Sequence, residues 1–423
     1  MTERISLAAK ETFRSLRGRN FRLFFVGQAL SQTGTWLQLI AQTLLVLQLT
    51  HSGVALGLVT AAQFLPVLVL GAWAGVVTDR VDKRTLMTVT QTAMMAFAVA
   101  LGGLVLSGHA TVNWVYFIAF LGGLANAFDN PARRVLVNEL VEERDVANAV
   151  SLNATLMTGS RMVGPALAGF LIATVGIGWC FVLNGVSFVA VLVALWRMDP
   201  AAMRIGVRAP KGEKGQLRAG LRYVWATETL RVPLLMLAVV ATLAYNFQVL
   251  TPLLAVRTLG GGTTGYTVLA SVMSAGSVLG SLWLARRSHL TTRFLAIACV
   301  AFGAATTLLA LAPSLALAAA CGLLVGMTSI VMLSGTNAVL QLTASPEMRG
   351  RVLALFTVVF LGSTPIGGPI AGWVAEHIGV RAALGMGASS ALLAGGVALL
   401  TTRPRATGAR LPSAVDGRVL EAA

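Results

Sequence analysis

Two stretches, Gly159-Ser-Arg-Met-Val-Gly-Pro-Ala-Leu-Ala-Gly169 and Gly362-Ser-Thr-Pro-Ile-Gly-Gly-Pro-Ile-Ala-Gly372, repeat one pattern at an offset of 203 residues. Gly159, Ser160, Gly164, Ala168 and Gly169 recur as Gly362, Ser363, Gly367, Ala371 and Gly372. The offset is close to half of the 423-residue chain. Small residues at this spacing let helices touch closely in lipid. Pro165 removes a backbone donor and kinks its helix. Ordinary small-residue packing uses the same residues. Gly164, Pro165, Gly169 and Gly367 are the expected packing hinge.

The surroundings of both stretches are apolar. Hydrophobic residues make up 56% of the chain and charged residues 11%, with a mean hydropathy of +0.78. A soluble globular chain carries about 25% charged residues, and one this apolar would expose large patches and aggregate. The composition excludes a soluble enzyme and a disordered chain. It implies a membrane protein with lipid as the solvent of its apolar surface. Twelve apolar segments reach the ~20 residues that a spanning helix needs. They are centred at about residues 36, 65, 96, 121, 162, 187, 243, 275, 302, 325, 363 and 391. The repeated stretches fall in the fifth and the eleventh. The expectation is an all-α membrane protein with twelve transmembrane helices in two six-helix bundles. The first bundle is 1–198, a cytoplasmic linker 199–229, the second bundle 230–402 and a cytoplasmic tail 403–423. A parallel six-plus-six repeat is the sequence sign of halves that rock about a midplane site.

The net charge is +16, from 32 Lys and Arg against 16 Asp and Glu. On a soluble domain that excess would suggest nucleic acid. Here the bases lie between apolar runs, as the positive-inside rule requires, and no nucleic-acid partner is expected. With the N-terminus inside, 29 of the 32 bases fall on the cytoplasmic side. Arg257 and Arg381 fall outside, and Arg161 lies within a span. Both termini are thus expected in the cytoplasm. The apolar run from Leu23 to Leu49 is too long for a signal peptide and lacks a cleavage site, so it reads as the first span. Cys180, Cys299 and Cys321 sit singly in apolar runs, and the four His fall near loops. No metal and no cofactor are expected. No G-x-x-x-x-G-K-[ST] motif and no recognisable nucleophile–base motif occur, so neither an ATP-driven pump nor an enzyme is expected.

The second span ends in Gly75-Val-Val-Thr-Asp79-Arg80-Val-Asp82-Lys83-Arg84. Gly75 suits a close helix contact. Asp79 can accept from a helix N-terminus. Arg80 needs an acid, and Asp129, near the cytoplasmic end of span four, is a candidate. This segment resembles the loop signature of the major facilitator superfamily, with Asp82 in place of the usual glycine. Asn20-Phe-Arg22, Asp129-Asn-Pro-Ala-Arg133, Asn148-Ala-Val-Ser-Leu-Asn153, the Gly164–Gly169 segment and Arg349-Gly-Arg-Val352 extend the likeness over about residues 15–400. Together they resemble the exporter branch that contains the enterobactin exporter and related multidrug efflux proteins. The resemblance implies a latch of Gly75, Asp79, Arg80, Lys83, Arg84, Asp129 and Arg133. It also implies secondary active transport, with protons as coupling ion, small amphipathic molecules as cargo and the inner membrane as location. A monomer is expected.

Two further features bear on the cargo. Span one carries Gln28, Ser31, Gln32, Thr35 and Gln42 within about 100° of helix circumference, at 100° per residue. That face either lines an aqueous cavity or makes interhelical hydrogen bonds. Span seven offers Tyr245, Asn246 and Gln248 at a similar depth. Arg161 lies roughly 18 Å into span five, at 1.5 Å per residue. A charge at that depth needs a partner or a cavity; Asp129, water or an anionic cargo would serve. The candidate coupling acids are Asp79, Asp129 and Glu376. Export of an anionic metabolite or siderophore is the alternative. A non-transporting sensor on the same fold is another, though the largest loop is about 30 residues.

Overall fold

The computed structural model of the chain describes residues 11–204, 216–287, 289–402 and 409–410. Almost all of them are helical, because in lipid every backbone donor and acceptor must be satisfied within its own segment. The helices are α1 (Arg19–Thr50), α2 (Gly53–Arg80), α3 (Lys83–Leu106), α4 (Val112–Glu139), α5 (Val146–Thr174), α6 (Ile177–Arg197), α7 (Gln216–Ala226), α8 (Glu228–Leu243), α9 (Phe247–Leu253), α10 (Gly262–Ala285), α11 (Thr292–Leu311), α12 (Leu315–Thr343), α13 (Pro346–His377) and α14 (Val380–Thr401). Side-chain caps set several starts. Ser52, Asp82, Thr291 and Ser314 accept from the backbone N–H three residues on.

Among the described residues, ten helical segments are long and apolar enough to cross a membrane. α1, with 32 residues, and α4, with 28, have the length but are more polar than the rest. The expected count of twelve therefore exceeds what apolarity alone supports. Large apolar side chains face outward, with Trp196 76% and Leu400 89% exposed. A soluble protein would bury them.

The chain divides into two compact units at Lys211/Gly212. In the first, α1 packs against α6 and α5, α2 against α4, and α3 against α6 and α4. In the second, α8 packs against α14 and α13, α10 against α12, and α11 against α14 and α12. The internal pairing of the first unit is thus repeated in the second. Gly176 (φ 91°) and Gly379 (φ 124°) precede α6 and α14 at the same offset of 203, each in the left-handed region that favours glycine. One end of the first unit is filled by Phe21, Phe24, Met87, Leu136 and Leu195.

The segment expected as a plain linker contains the helix α7, an 11-residue element. Val224 is buried, whereas Leu221 and Trp225 are exposed, so α7 presents apolar side chains on an outer face. Residues 205–215 of the linker, and the tail except 409–410, lie outside the described residues.

Candidate functional site

α1 and α4 are polar for a local reason. Asp129, on α4, is 0% exposed. Its Oδ1 accepts from Thr90 Oγ1 at 3.0 Å and from Gln91 Nε2 at 2.8 Å, both on α3. Its Oδ2 pairs with Arg133 one turn further along α4. Arg133 is 6% exposed. Gln32, its amide oriented to satisfy its donors, accepts from both terminal nitrogens of Arg133. Three helices thus enclose an ion pair in a cage of neutral amides and a hydroxyl. Gln91 Oε1 and Arg133 Nε are buried there, and Gln28 Nε2 and Ser31 Oγ are buried on α1, with no hydrogen-bond partner among the described residues. A buried polar atom left unpaired costs about 1–3 kcal/mol, so the cage has unused hydrogen-bonding capacity.

The expected pairing of Asp129 with Arg80 or Arg161 is not what forms. Both Asp129 oxygens are taken by the partners above. Arg133, expected from the sequence as part of the latch, is a buried helix residue. The i, i+4 spacing explains both outcomes, since it puts the two charges on one face of α4.

Of the polar face of span one, Gln28, Ser31, Gln32 and Gln42 are buried and Thr35 is exposed. Arg161 is exposed, and its guanidinium lies over the Trp36 ring of α1 at 5.3 Å from the centroid. This stacking is a cation–π contact. Pro165, four residues on, cannot donate to the Arg161 carbonyl.

The expected latch is divided. Asp79 and Arg80 are exposed at the end of α2. Asp82 caps α3, accepting from Thr85 N at 2.7 Å, a role that glycine could not fill. Lys83 reaches Glu139 at 3.9 Å, an acid that the sequence reading did not single out. Arg84 Nη2 donates to the Trp196 carbonyl at 3.0 Å, at the C-terminal end of α6. Gly75 was expected to permit a close helix contact. Among the described residues nothing lies within 4 Å of where its Cβ would stand, so Gly75 makes no such contact here.

The repeated stretches do make close contacts. Ser160, Gly164 and Ala168 form a buried stripe on α5, as do Ser363, Gly367 and Ala371 on α13. A Cβ on Gly164 would collide with the Cβ of Trp36 on α1. One on Gly367 would collide with the Thr242 carbonyl of α8 and come within 2.9 Å of Asn246 Oδ1. Pro165 is buried beside its stripe and Gly169 is half-buried.

Span seven is interrupted. α8 ends at Leu243, Tyr245 and Asn246 are not helical, and α9 is followed by a π-helical turn at Leu254–Thr258. Pro252 supplies no donor to this segment. Tyr245 donates its hydroxyl to the Ser329 carbonyl of α12, and its ring meets those of Phe247, Phe302 and Phe360. Asn246 Nδ2 donates to the Thr242 carbonyl at 2.8 Å. Gln248 is half-buried on α9. Irregular backbone at membrane depth is tolerated where protein or a cavity surrounds it, and discontinuous helices are typical of transport sites.

An apolar helical body with a buried ion pair and a broken spanning helix describes a polytopic membrane protein. The transmembrane secretion effector family matches residues 10–417, and the chain belongs to this family of major facilitator transporters. It is 28% identical over 385 residues to the multidrug efflux pump Tap of Mycolicibacterium fortuitum, covering 88% of this chain and 93% of that one. It is 29% identical over 176 residues to the staphyloferrin A transporter of Staphylococcus aureus. That match spans 41% of this chain and 44% of the staphyloferrin A transporter, less than half of either. A bacterial homologue of the human lysosomal transporter Spinster, solved inward-facing and occupied, shares the fold at a TM-score of 0.65 and 17% identity. That comparison covers 90% of this chain and 94% of the other.

Proposed function

We propose that the protein is a proton-coupled exporter of small amphipathic molecules. In this reading it has twelve spans, sits in the inner membrane with both termini cytoplasmic, and works as a monomer. The observation that carries the coupling is the buried Asp129–Arg133 pair. A buried ion pair is balanced while both charges are present, and removing one leaves the other uncompensated. Protonating Asp129 does this reversibly. It removes the counter-charge of Arg133 and favours a conformation in which the guanidinium reaches water. A proton thereby gains different affinities for two states, which is what coupling requires. The unpaired atoms of Gln28, Ser31 and Gln91 provide places for water to bring that proton to Asp129.

The similarity to a multidrug efflux pump supports an amphipathic cargo. A second reading, export of an anionic metabolite or siderophore, rests on Arg161. This arginine is exposed and held against Trp36, where it could meet an anionic group. The latch assigned to Asp79, Arg80, Lys83 and Arg84 gains Glu139 as a partner on α4. Everted membrane vesicles with an acidified interior test the main reading. Wild-type vesicles should accumulate a fluorescent amphipathic cation and lose it when the gradient is collapsed. Asp129→Asn vesicles with equal protein content should not accumulate it. Gradient-independent accumulation, or full accumulation by Asp129→Asn, would refute proton coupling through this pair.

A further inference from the structure

The residues before α1, after α4 and after α6 meet at one end of the first unit and leave a cavity of about 610 Å³ between them. Neither Asp129 nor Arg133 lines it. Three ties hold its walls. The turn Arg14–Arg17, ahead of α1, is fastened to the start of α5. Ser15 N and Oγ donate to Asn148 Oδ1 at 3.1 and 2.7 Å, and Asn148 Nδ2 donates to the Thr12 carbonyl at 2.8 Å. The buried Asn20, at the start of α1, exchanges two hydrogen bonds with the backbone of Asp199. Arg204 N donates to the Glu139 carbonyl, at the end of α4, at 2.9 Å. The walls therefore stand in place before a ligand arrives, which lowers the cost of binding one.

The charge around the cavity is unbalanced. Arg14, Arg17, Arg19, Arg144 and Arg204 line it, against Glu142, Asp145 and Asp199. Asp145 pairs with Arg14, and Glu142 with Arg144 at 2.8 Å. Asp199 Oδ1 accepts from Ala201 N at 3.0 Å. Arg17, Arg19 and Arg204 are exposed and have no acid partner among the described residues. The positive-inside rule accounts for bases at this end of the helices. It does not account for their convergence on one cavity. The start of α1 adds to the same field. Gly18 offers no side-chain cap, the first turn holds no acid, and the N–H groups of Arg19 and Asn20 have no acceptor among the described residues. Such a start carries partial positive charge and free donors for an oxyanion.

We infer that this cavity binds a phosphate group carried on a small organic body, with Arg17, Arg19 and Arg204 as its counter-charges. A guanidinium fork meets two phosphate oxygens at once. The volume falls within the range of small-molecule sites, so the cavity has room for the organic part as well. A lipid headgroup and a soluble phosphate ester present the same chemistry here. The site is separate from the Asp129–Arg133 pair, and its occupancy does not rest on the transport reading.

The test uses purified full-length protein in a neutral detergent. Glycerol 1-phosphate, the soluble probe, is titrated by calorimetry. Phosphatidylglycerol, the lipid probe, is titrated and its retention read by native mass spectrometry, with diacylglycerol as the lipid that lacks the phosphate. Wild type should bind at least one of the two phosphates and should not retain diacylglycerol. Retention of phosphatidylglycerol alone identifies a lipid headgroup as the ligand, and binding of glycerol 1-phosphate identifies a soluble ester; either upholds the site. Arg17→Gln, Arg19→Gln and Arg204→Gln should each raise the Kd about fivefold or more, because each removes a charge-assisted contact. All three side chains are exposed, so the variants should melt with wild type. Arg257→Gln removes one exposed base from the second unit and should leave the Kd unchanged. Binding of neither phosphate would overturn the site. So would an unchanged Kd in the three variants, or an equal loss in Arg257→Gln, which would mark a diffuse response to net charge.

Discussion

Asparagine in place of Asp129 keeps the shape of the cage but leaves Arg133 a buried cation without its counter-charge. Breaking a buried pair in this way costs on the order of 3–5 kcal/mol. Asp129→Asn should therefore melt at a clearly lower temperature in detergent, and Asp129→Asn combined with Arg133→Gln should regain most of the loss. A double variant as unstable as the sum of the singles would mean that the two charges do not interact. Asp82 makes a gentler case. Asp82→Ala removes the cap of α3 and should cost about 1 kcal/mol, whereas Asp82→Asn should stay near wild type. The candidate acid Asp129 was legible in the sequence; its partner was not. Arg133 stands near the expected cytoplasmic end of span four, and its burial depends on Thr90, Gln91 and Gln32, which lie far away in sequence. Glu139 was missed for a related reason, since an acid at a helix end looks like a solvated residue until Lys83 is placed beside it.

At the scale of helices, the repeated glycines and Gly75 behave oppositely. Gly164→Ala places a methyl group on the Trp36 side chain, and Gly367→Ala places one on the Thr242 backbone. Overpacking of this kind costs about 1–3 kcal/mol. Both variants should lower the melting midpoint, read by reaction of the buried Cys180 and Cys299 with a thiol-specific dye. Gly75→Ala meets open space and should leave it unchanged. Equal effects from all three would mean that the contacts of α5 and α13 do not hold their units together. The close contacts of α5 and α13 were legible because a repeat exposes its own constraint: the same small residues return where the same helix pair touches. The break in span seven was not. No glycine or proline stands at Tyr245–Asn246, and Pro252, which does interfere with the helix, lies six residues past Asn246.

For the molecule as a whole, ten spanning segments are readable from apolarity among the described residues. α1 and α4 are the two that fall short, and they hold the polar face and the Asp129 cluster. The offset of 203 also shows where the halves diverged. Gly123 meets the Gln63 carbonyl of α2, and Gly326 the Met273 carbonyl of α10. Yet Asp129 and Arg133 correspond to Met332 and Thr336. At these positions the second unit therefore carries no ion pair. The proposed topology is checked by single cysteines in a background lacking the native three. Ser107→Cys should react with a membrane-impermeant maleimide in intact cells, and Ser345→Cys only after lysis. The reverse pattern would overturn cytoplasmic termini.

The interruption at Tyr245 has a kinetic consequence. The backbone N–H groups of Asn246, Phe247 and Gln248 find no acceptor among the described residues, whereas their neighbours in α8 are bonded along the helix. An unbonded amide exchanges its hydrogen without waiting for the helix to open. In hydrogen–deuterium exchange, a peptide covering 244–250 should therefore take up deuterium within the shortest labelling time, while the flanking turns of α8 stay protected. If cargo seals this joint from water, the early uptake should slow when the fluorescent amphipathic cation is added. Span seven would then report occupancy of the transporter without any label attached to it.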